Sequence, residues 1–127
     1  MIQATRKNNL TIQVQSRNHS HVLLSDVGVD QGGDDLGMSP HELLESALGA
    51  CTSMTVQMYA MRKGWPLESC DSLVTIQREG AETLIEVKIN LVGPNLDEEQ
   101  RARLLDIAGK CPVHKILIHP TKIQISV

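Results

Sequence analysis

From Ser39 to Gly64 the chain carries the start, the length and the stop of one long helix, and the rest of the sequence must supply its cover. Ser39 stands at the N-cap position, Pro40 at the first helical position, and Glu42 three residues after Ser39 in capping-box position. Gly64 follows Arg62-Lys63, with Pro66 beyond, so the spacing predicts an end at Arg62 or Lys63. Between these signals Leu43, Leu44, Ala47, Leu48, Ala50, Cys51, Met54, Val56, Met58 and Met61 occupy most of the circumference. A helix apolar on nearly every side is central and buried, or shared between subunits. Gly49 costs roughly 1 kcal/mol against Ala in a helix interior, which predicts that another backbone packs close to it.

Around this helix the pattern is that of strands. Leu10, Ile12 and Val14 alternate with Thr11, Gln13 and Gln15, a turn is expected at Ser16-Arg17-Asn18-His19-Ser20, and His21 to Leu24 runs back as a hairpin. Val27 and Val29 suggest a short third strand, and Gly32-Gly33-Asp34-Asp35 a solvated loop. That loop lacks a Gly-Lys-Ser/Thr ending and its aspartates repel phosphate, so it is no phosphate cradle. A second hairpin is predicted from Asp71–Gln77 and Leu84–Val92, with Leu73 and Ile76 or Thr75 inward and a turn at Glu79-Gly80-Ala81. Asp97 caps a second helix with Glu98 and Glu99 in its first turn and Leu104, Leu105, Ile107 and Ala108 on its core face. A short helical piece over Val113–Leu117 and a last strand over Thr121–Val127 complete the order β-β-(β)-α-β-β-α-β, an α+β plan with antiparallel sheet.

The chain of 127 residues is expected to be a single domain spanning residues 1–127. It has no Phe, one Trp and one Tyr, so aliphatic residues and five Met must fill the interior. Two hairpins and one amphipathic helix offer too little apolar surface to cover the long helix, and a homodimer supplies the missing partner. A net charge of −3 without a basic patch argues against nucleic acid. No run of some eighteen apolar residues exists to span a membrane, and the first ten residues lack the apolar region of a signal peptide. Three cysteines without an export signal suggest a reducing compartment, by default the cytoplasm, where paired cysteines are more often catalytic or metal-binding than structural.

Two of those cysteines hold the interest. Cys51 sits in the long helix, either as a small hydrophobe in the core or as a nucleophile in an apolar wall formed by Leu44 and Leu48, with Thr55 as a nearby hydroxyl. Cys111 lies in Cys111-Pro112-Val113-His114-Lys115, where a helix should break and two neighbours can carry positive charge, either as a cap or as a reactive thiol. Cys70, beside Asp71, reads as a bystander. His19, His21 and His119 read as turn residues. Cys51, Cys111, His41 and His114 have the right atoms for a zinc site, but no short ligand spacing occurs. His41 also lies about 15 Å from Cys51 along an unbroken helix.

Four segments together resemble the OsmC/Ohr family, the osmotically inducible protein C and organic hydroperoxide resistance proteins. These are Gly32–Leu44 with Ser39-Pro40-His41-Glu42, Ala47-Leu48-Gly49-Ala50-Cys51-Thr52, Arg62-Lys63-Gly64-Trp65-Pro66-Leu67, and Cys111-Pro112-Val113-His114-Lys115. The resemblance implies an OsmC-like fold, with antiparallel sheets around a long central helix in an intertwined homodimer. It implies a peroxidatic cysteine at Cys51, a resolving cysteine at Cys111, an organic hydroperoxide as substrate and an external dithiol as reductant, with no cofactor. In the family's peroxidases a glutamate directly follows the motif proline and pairs with an arginine. Here His41 holds that position and Glu42 comes one later, Arg17 and Arg6 are the arginine candidates, and His114 is a further supporting residue. The pattern is closest to the OsmC-like branch. A redox-sensing or apolar-ligand-binding protein on the same fold is the alternative.

Overall fold

A computed structural model describes residues 1–79 and 81–127. Among the described residues the structure is α+β with antiparallel sheets and three α-helices. Contacts divide the chain into two units, Met1–Leu44 and Glu45–Val127.

The first unit is built on β1 (Ile2–Asn8), β2 (Thr11–Ser16) and β3 (Val22–Ser25), a meander in the order β1-β2-β3. The β2–β3 hairpin forms as expected: Gln13 pairs with Leu24, and the backbone N–H of His19 closes the turn on the Ser16 carbonyl at 2.9 Å. β1 was not foreseen, because Gln3-Ala4-Thr5-Arg6-Lys7 has no apolar alternation and every residue of the strand is exposed. The third strand is Val22–Ser25, not the Val27–Val29 segment, which turns instead through a single 3-10 turn at Val29–Gln31.

Asp26 accounts for that difference. Its carboxylate, 2% exposed, accepts from the Thr11 hydroxyl at 2.9 Å and from the backbone N–H groups of Val27, Asp34 and Leu36. Donors that a strand would give to its neighbour therefore converge on one side chain. Gly33 lies against the Val27 carbonyl with no room for a Cβ. The Gly32–Asp35 segment, expected to be a solvated loop, is thus tied to a buried acid.

α1 (Pro40–Lys63) has the predicted start and stop. The Ser39 N–H donates to the Glu42 carboxylate at 2.7 Å and the Glu42 N–H to the Ser39 hydroxyl at 3.3 Å, a complete capping box. At the far end Gly64 takes a left-handed φ of 67°, Trp65 N–H reaches the Ala60 carbonyl, and Gly64 N–H the Met61 carbonyl. That pair of bonds is a Schellman motif and explains why glycine stands there.

In the second unit β4 (Ser69–Glu79) and β5 (Glu82–Val92) form an antiparallel hairpin with Ser72 opposite Ile89, Val74 opposite Val87 and Ile76 opposite Ile85. The turn expected around Gly80 lies outside the described residues. Cys70, Ser72, Val74 and Ile76 form the inward face, so Leu73, expected inward, points out with 65% exposure. Cys70 is buried, and the two-residue strand period then forces Leu73 to the opposite face.

α1 meets β4 at Gly49, where the close neighbours are side chains rather than the backbone expected there. A Cβ there would lie 3.1 Å from Val74 Cγ2 and 3.2 Å from Ser72 Oγ, and the Ser72 hydroxyl donates to the Gly49 carbonyl at 3.0 Å. α2 (Glu98–Ala108) begins at the predicted Asp97 cap, with Gln100 N–H donating to Asp97 at 2.7 Å. Its Leu104, Ile107 and Ala108 join Val56, Ala60, Leu67, Cys70 and Leu96 in one core cluster, with Tyr59 and Trp65 packed against it. Leu105, expected in that face, is 53% exposed.

α3 (Pro112–Ile118) matches the predicted short helical piece, but the last strand does not form. Thr121–Val127 has no ladder partner among the described residues, and Ile123, Ile125 and Val127 are exposed. One face of α1 is also uncovered: Ala47, Ala50, Met54, Met58 and Met61 are all exposed, the methionines by 63–71%. In a single chain, then, the helix is buried on one side only.

Candidate functional site

Cys111 is the best-built position in the second unit. α2 ends at Gly109, and the Lys110 N–H closes onto the Ile107 carbonyl at 2.9 Å. Cys111 then takes an extended conformation (φ −64°, ψ 145°) at the N-cap of α3, with Pro112 pre-set as the first helical residue. Its sulfur does what a Ser or Asp oxygen does at other caps: Sγ accepts the backbone N–H of His114 at 3.2 Å. A second donor comes from α1, where the Thr52 hydroxyl reaches the same Sγ at 3.6 Å. Thr52 is 3% exposed and Cys111 fully buried. The cap and reactive-thiol readings of Cys111 are therefore compatible in geometry: the sulfur caps a helix and is also held by a neighbouring helix.

Beside this pair opens a cavity of about 420 Å³. Ile85, Val87 and Ile89 of β5 line one wall, and Thr52 and His114 bring polar groups to it. Those are the two residues that donate to Cys111. An apolar cleft with a few placed polar groups is the usual form of a small-molecule site.

Cys51 is half-buried and immediately precedes Thr52 on α1. At 3.6 residues per turn Thr52 points about 100° away from it, while Met58, two turns on, lies nearly in line with it. Cys51 thus borders the buried stripe of Leu48, Thr52 and Val56 on one side and the exposed methionine face on the other. The Thr55 hydroxyl, expected as a polar group near the Cys51 sulfur, is spent on the Cys51 carbonyl at 2.7 Å. Cys70 is buried on β4; burial pushes its thiol up, the Ser53 hydroxyl opposes that, and Asp71 adds to the rise. A raised thiol beside a carboxylate is a poor nucleophile.

The other residues singled out in the sequence lie in the first unit. His41 is exposed in the first turn of α1. The Glu42 carboxylate is engaged by the Ser39 N–H and hydroxyl, which hold it below its ordinary range. Arg17 is exposed in the β2–β3 turn, and Arg6 gives its Nε–H to the Asn9 carbonyl at 2.7 Å. Among the described residues the ion pairs are Lys88–Glu86 and the pairs of Asp106 with Arg103 and Lys110, none of which involves Glu42, Arg6 or Arg17. Among the described residues, no three His, Cys, Asp or Glu cluster closely enough to hold a metal ion. No helix among them is long and apolar enough to cross a membrane.

Thr52 is a site residue that no local sequence signal marks. It sits next to Cys51, but a Thr on an apolar helix face gives no signal of which sulfur it will meet 59 residues away.

Comparison with known proteins agrees with the topology. The family model described as OsmC-like protein matches residues 32–126. Among solved structures, an OsmC-like protein from Mycoplasma pneumoniae superposes with a TM-score of 0.76 at 22% identity, covering 92% of this chain and 85% of that one. An organic hydroperoxide resistance protein OsmC from Legionella pneumophila gives 0.67 at 17% identity, covering 93% and 89%. The organic hydroperoxide resistance protein OhrB of Bacillus subtilis gives 0.62 at 16% identity, covering 91% and 88%. No curated protein matches the sequence. The family model spans most of the chain, and this protein belongs to the OsmC-like family.

Proposed function

We propose that this protein is a thiol-dependent peroxidase for organic hydroperoxides, with Cys51 as the peroxidatic and Cys111 as the resolving cysteine. One observation carries the pairing: Thr52, the neighbour of Cys51 on α1, touches the sulfur of Cys111. The Cys51 thiolate attacks the O–O bond of the hydroperoxide; an S–O bond forms, the O–O bond breaks, and the alkoxide leaves and takes up a proton as the alcohol. The sulfenic acid condenses with the Cys111 thiol, forming the disulfide and releasing water. An external dithiol restores both thiols and is itself oxidised to a disulfide. The apolar cleft beside Cys111 suits an alkyl or aryl substituent better than hydrogen peroxide.

The protein works as a homodimer in a reducing compartment, the cytoplasm. The support is the uncovered face of α1 that Cys51 borders, together with the exposed apolar residues of Thr121–Val127. A second copy packed on that face closes the site over Cys51 and excludes water from it.

The engaged Glu42 carboxylate favours a second reading, in which the cleft holds an apolar ligand and the cysteines report oxidation without rapid turnover. Stopped-flow reaction of the reduced protein with cumene hydroperoxide and with hydrogen peroxide separates the two. Fast consumption selective for the organic substrate supports the peroxidase; slow, unselective oxidation supports the sensor.

A further inference from the structure

We propose that Thr52 is a positioning residue for Cys111, holding its sulfur for closure of the disulfide; this rests on the redox-pair reading above. A buried hydroxyl needs a partner, and Thr52, 3% exposed, finds it in Cys111 Sγ at 3.6 Å. The second donor to that sulfur is the backbone N–H of His114 at 3.2 Å, which no substitution other than proline removes. The sulfur is therefore held from two elements, α3 through the backbone and α1 through one side chain.

α1 itself is anchored just beside that side chain. The Ser72 hydroxyl donates to the Gly49 carbonyl, one turn before Thr52, and Ser53 and Ser72 hydroxyls meet at 2.9 Å. Thr52 and Cys51 are consecutive residues of this fixed helix. Whatever orients Thr52 also sets how far Cys111 lies from the sulfur it must reach.

The chemistry needs the same contact. In closure the Cys111 sulfur attacks the sulfenic sulfur of Cys51; the S–S bond forms, the S–O bond breaks, and the departing hydroxide takes the proton that Cys111 gives up, leaving as water. Negative charge on Cys111 Sγ during that step meets two donors already in place. Hydrogen bonds to charged acceptors are stronger than those to neutral ones. Thr52 is not consumed in this step. It orients the attacking group.

Thr52→Val keeps shape and removes the donor; Thr52→Ser keeps the donor and removes a methyl group. Single-turnover kinetics in the intact protein resolve sulfenic acid formation at Cys51 from disulfide closure. T52V is expected to slow closure about tenfold or more relative to sulfenic acid formation in the same protein, the loss of one hydrogen bond to a charged acceptor. T52S restores closure to within a fewfold of the parent. A second readout needs no peroxide: in reduced Cys51→Ser protein the ¹³Cβ resonance of Cys111 moves with T52V and returns with T52S. Closure at the parent rate in T52V overturns the proposal, and so does equal slowing in T52V and T52S, which makes Thr52 a packing residue. If the parent protein forms no Cys51–Cys111 disulfide, the redox-pair reading falls and takes the positioning role with it; unchanged closure in T52V beside normal closure in the parent removes Thr52 alone.

Discussion

Replacing Gly49 by Val tests how tightly the site depends on one close approach. The first atom of any side chain at residue 49 would lie 3.1 Å from Val74 Cγ2 and 3.2 Å from Ser72 Oγ. Both neighbours stand on β4, which is paired along its length to β5 and cannot retreat easily. Valine adds two further methyl groups to this contact. Overpacking of a core typically costs about 1–3 kcal/mol, and displacing α1 also strains the Ser72–Gly49 hydrogen bond, worth about 0.5–1.5 kcal/mol. The gain in helix propensity returns only a few tenths of a kcal/mol for Val, against about 1 kcal/mol for Ala. G49V is therefore destabilised by about 2–4 kcal/mol, which at roughly 4 °C per kcal/mol for a chain of this size lowers Tm by about 8–16 °C. G49A, whose propensity gain offsets a milder crowding, stays within about 1 kcal/mol of the parent. Calorimetry at fixed protein concentration reads both. Thr52 lies one turn further along the same face, so G49V also weakens the Thr52–Cys111 contact and slows disulfide closure. A G49V protein melting within 2 °C of the parent would refute the claim that β4 fixes α1 at this point.

Other consequences can be checked independently. Met58→Glu places a charge on the exposed apolar face that Cys51 borders, and sedimentation should show monomer where the parent is dimer; a parent already monomeric removes the dimer. Cys51→Ser should abolish peroxide turnover, whereas Cys111→Ser should complete one turnover and then overoxidise at Cys51, as mass analysis would show. The acid limb of stability should depend on two carboxylates. For Asp26, burial alone would raise the carboxyl, but the N–H groups of Val27, Leu36 and Asp34 and the Thr11 hydroxyl bring it below its ordinary range. For Glu42 the Ser39 N–H and hydroxyl do the same. A carboxyl lowered on folding contributes stability above its unfolded pKa, near 4, and loses it as pH falls through the folded value. Asp26→Asn and Glu42→Gln should each flatten the fall in Tm on the acid side of pH 4; a slope equal to the parent's would mean these hydrogen bonds form equally in the unfolded chain.

Much of the fold is written in local signals. Ser39-Pro40 and Gly64 bound α1 because cap chemistry involves residues no more than five apart, whereas at Gly49 the expected close backbone is instead the side chains of Val74 and Ser72. What escaped depends on partners distant in sequence. β1 has only Ile2 and Ala4 as apolar residues, both exposed, and becomes a strand by pairing with β2, so its sequence holds too short a period to read. Leu73 looked like an inward residue until Cys70 took the inward position and fixed the phase of the whole strand. Asp26 resembled any loop acid, yet it gathers a Thr from β2 and backbone donors from a segment ten residues on. Thr121–Val127 has the alternation of a strand, and alternation alone does not form one where no ladder partner lies among the described residues. At the site both cysteines were singled out from their neighbours in sequence. That Thr52 holds the second sulfur follows only from the packing of α1 against the start of α3.

The central claim is that Cys51 and Cys111 form one redox pair, and it can be tested on a single sample. Fully reduced protein is mixed with one equivalent of cumene hydroperoxide, its remaining thiols are blocked, and its digest is analysed by mass. The account predicts near-stoichiometric Cys51–Cys111 disulfide with Cys70 still alkylatable. Retention of both thiols, or a disulfide that includes Cys70, would contradict it.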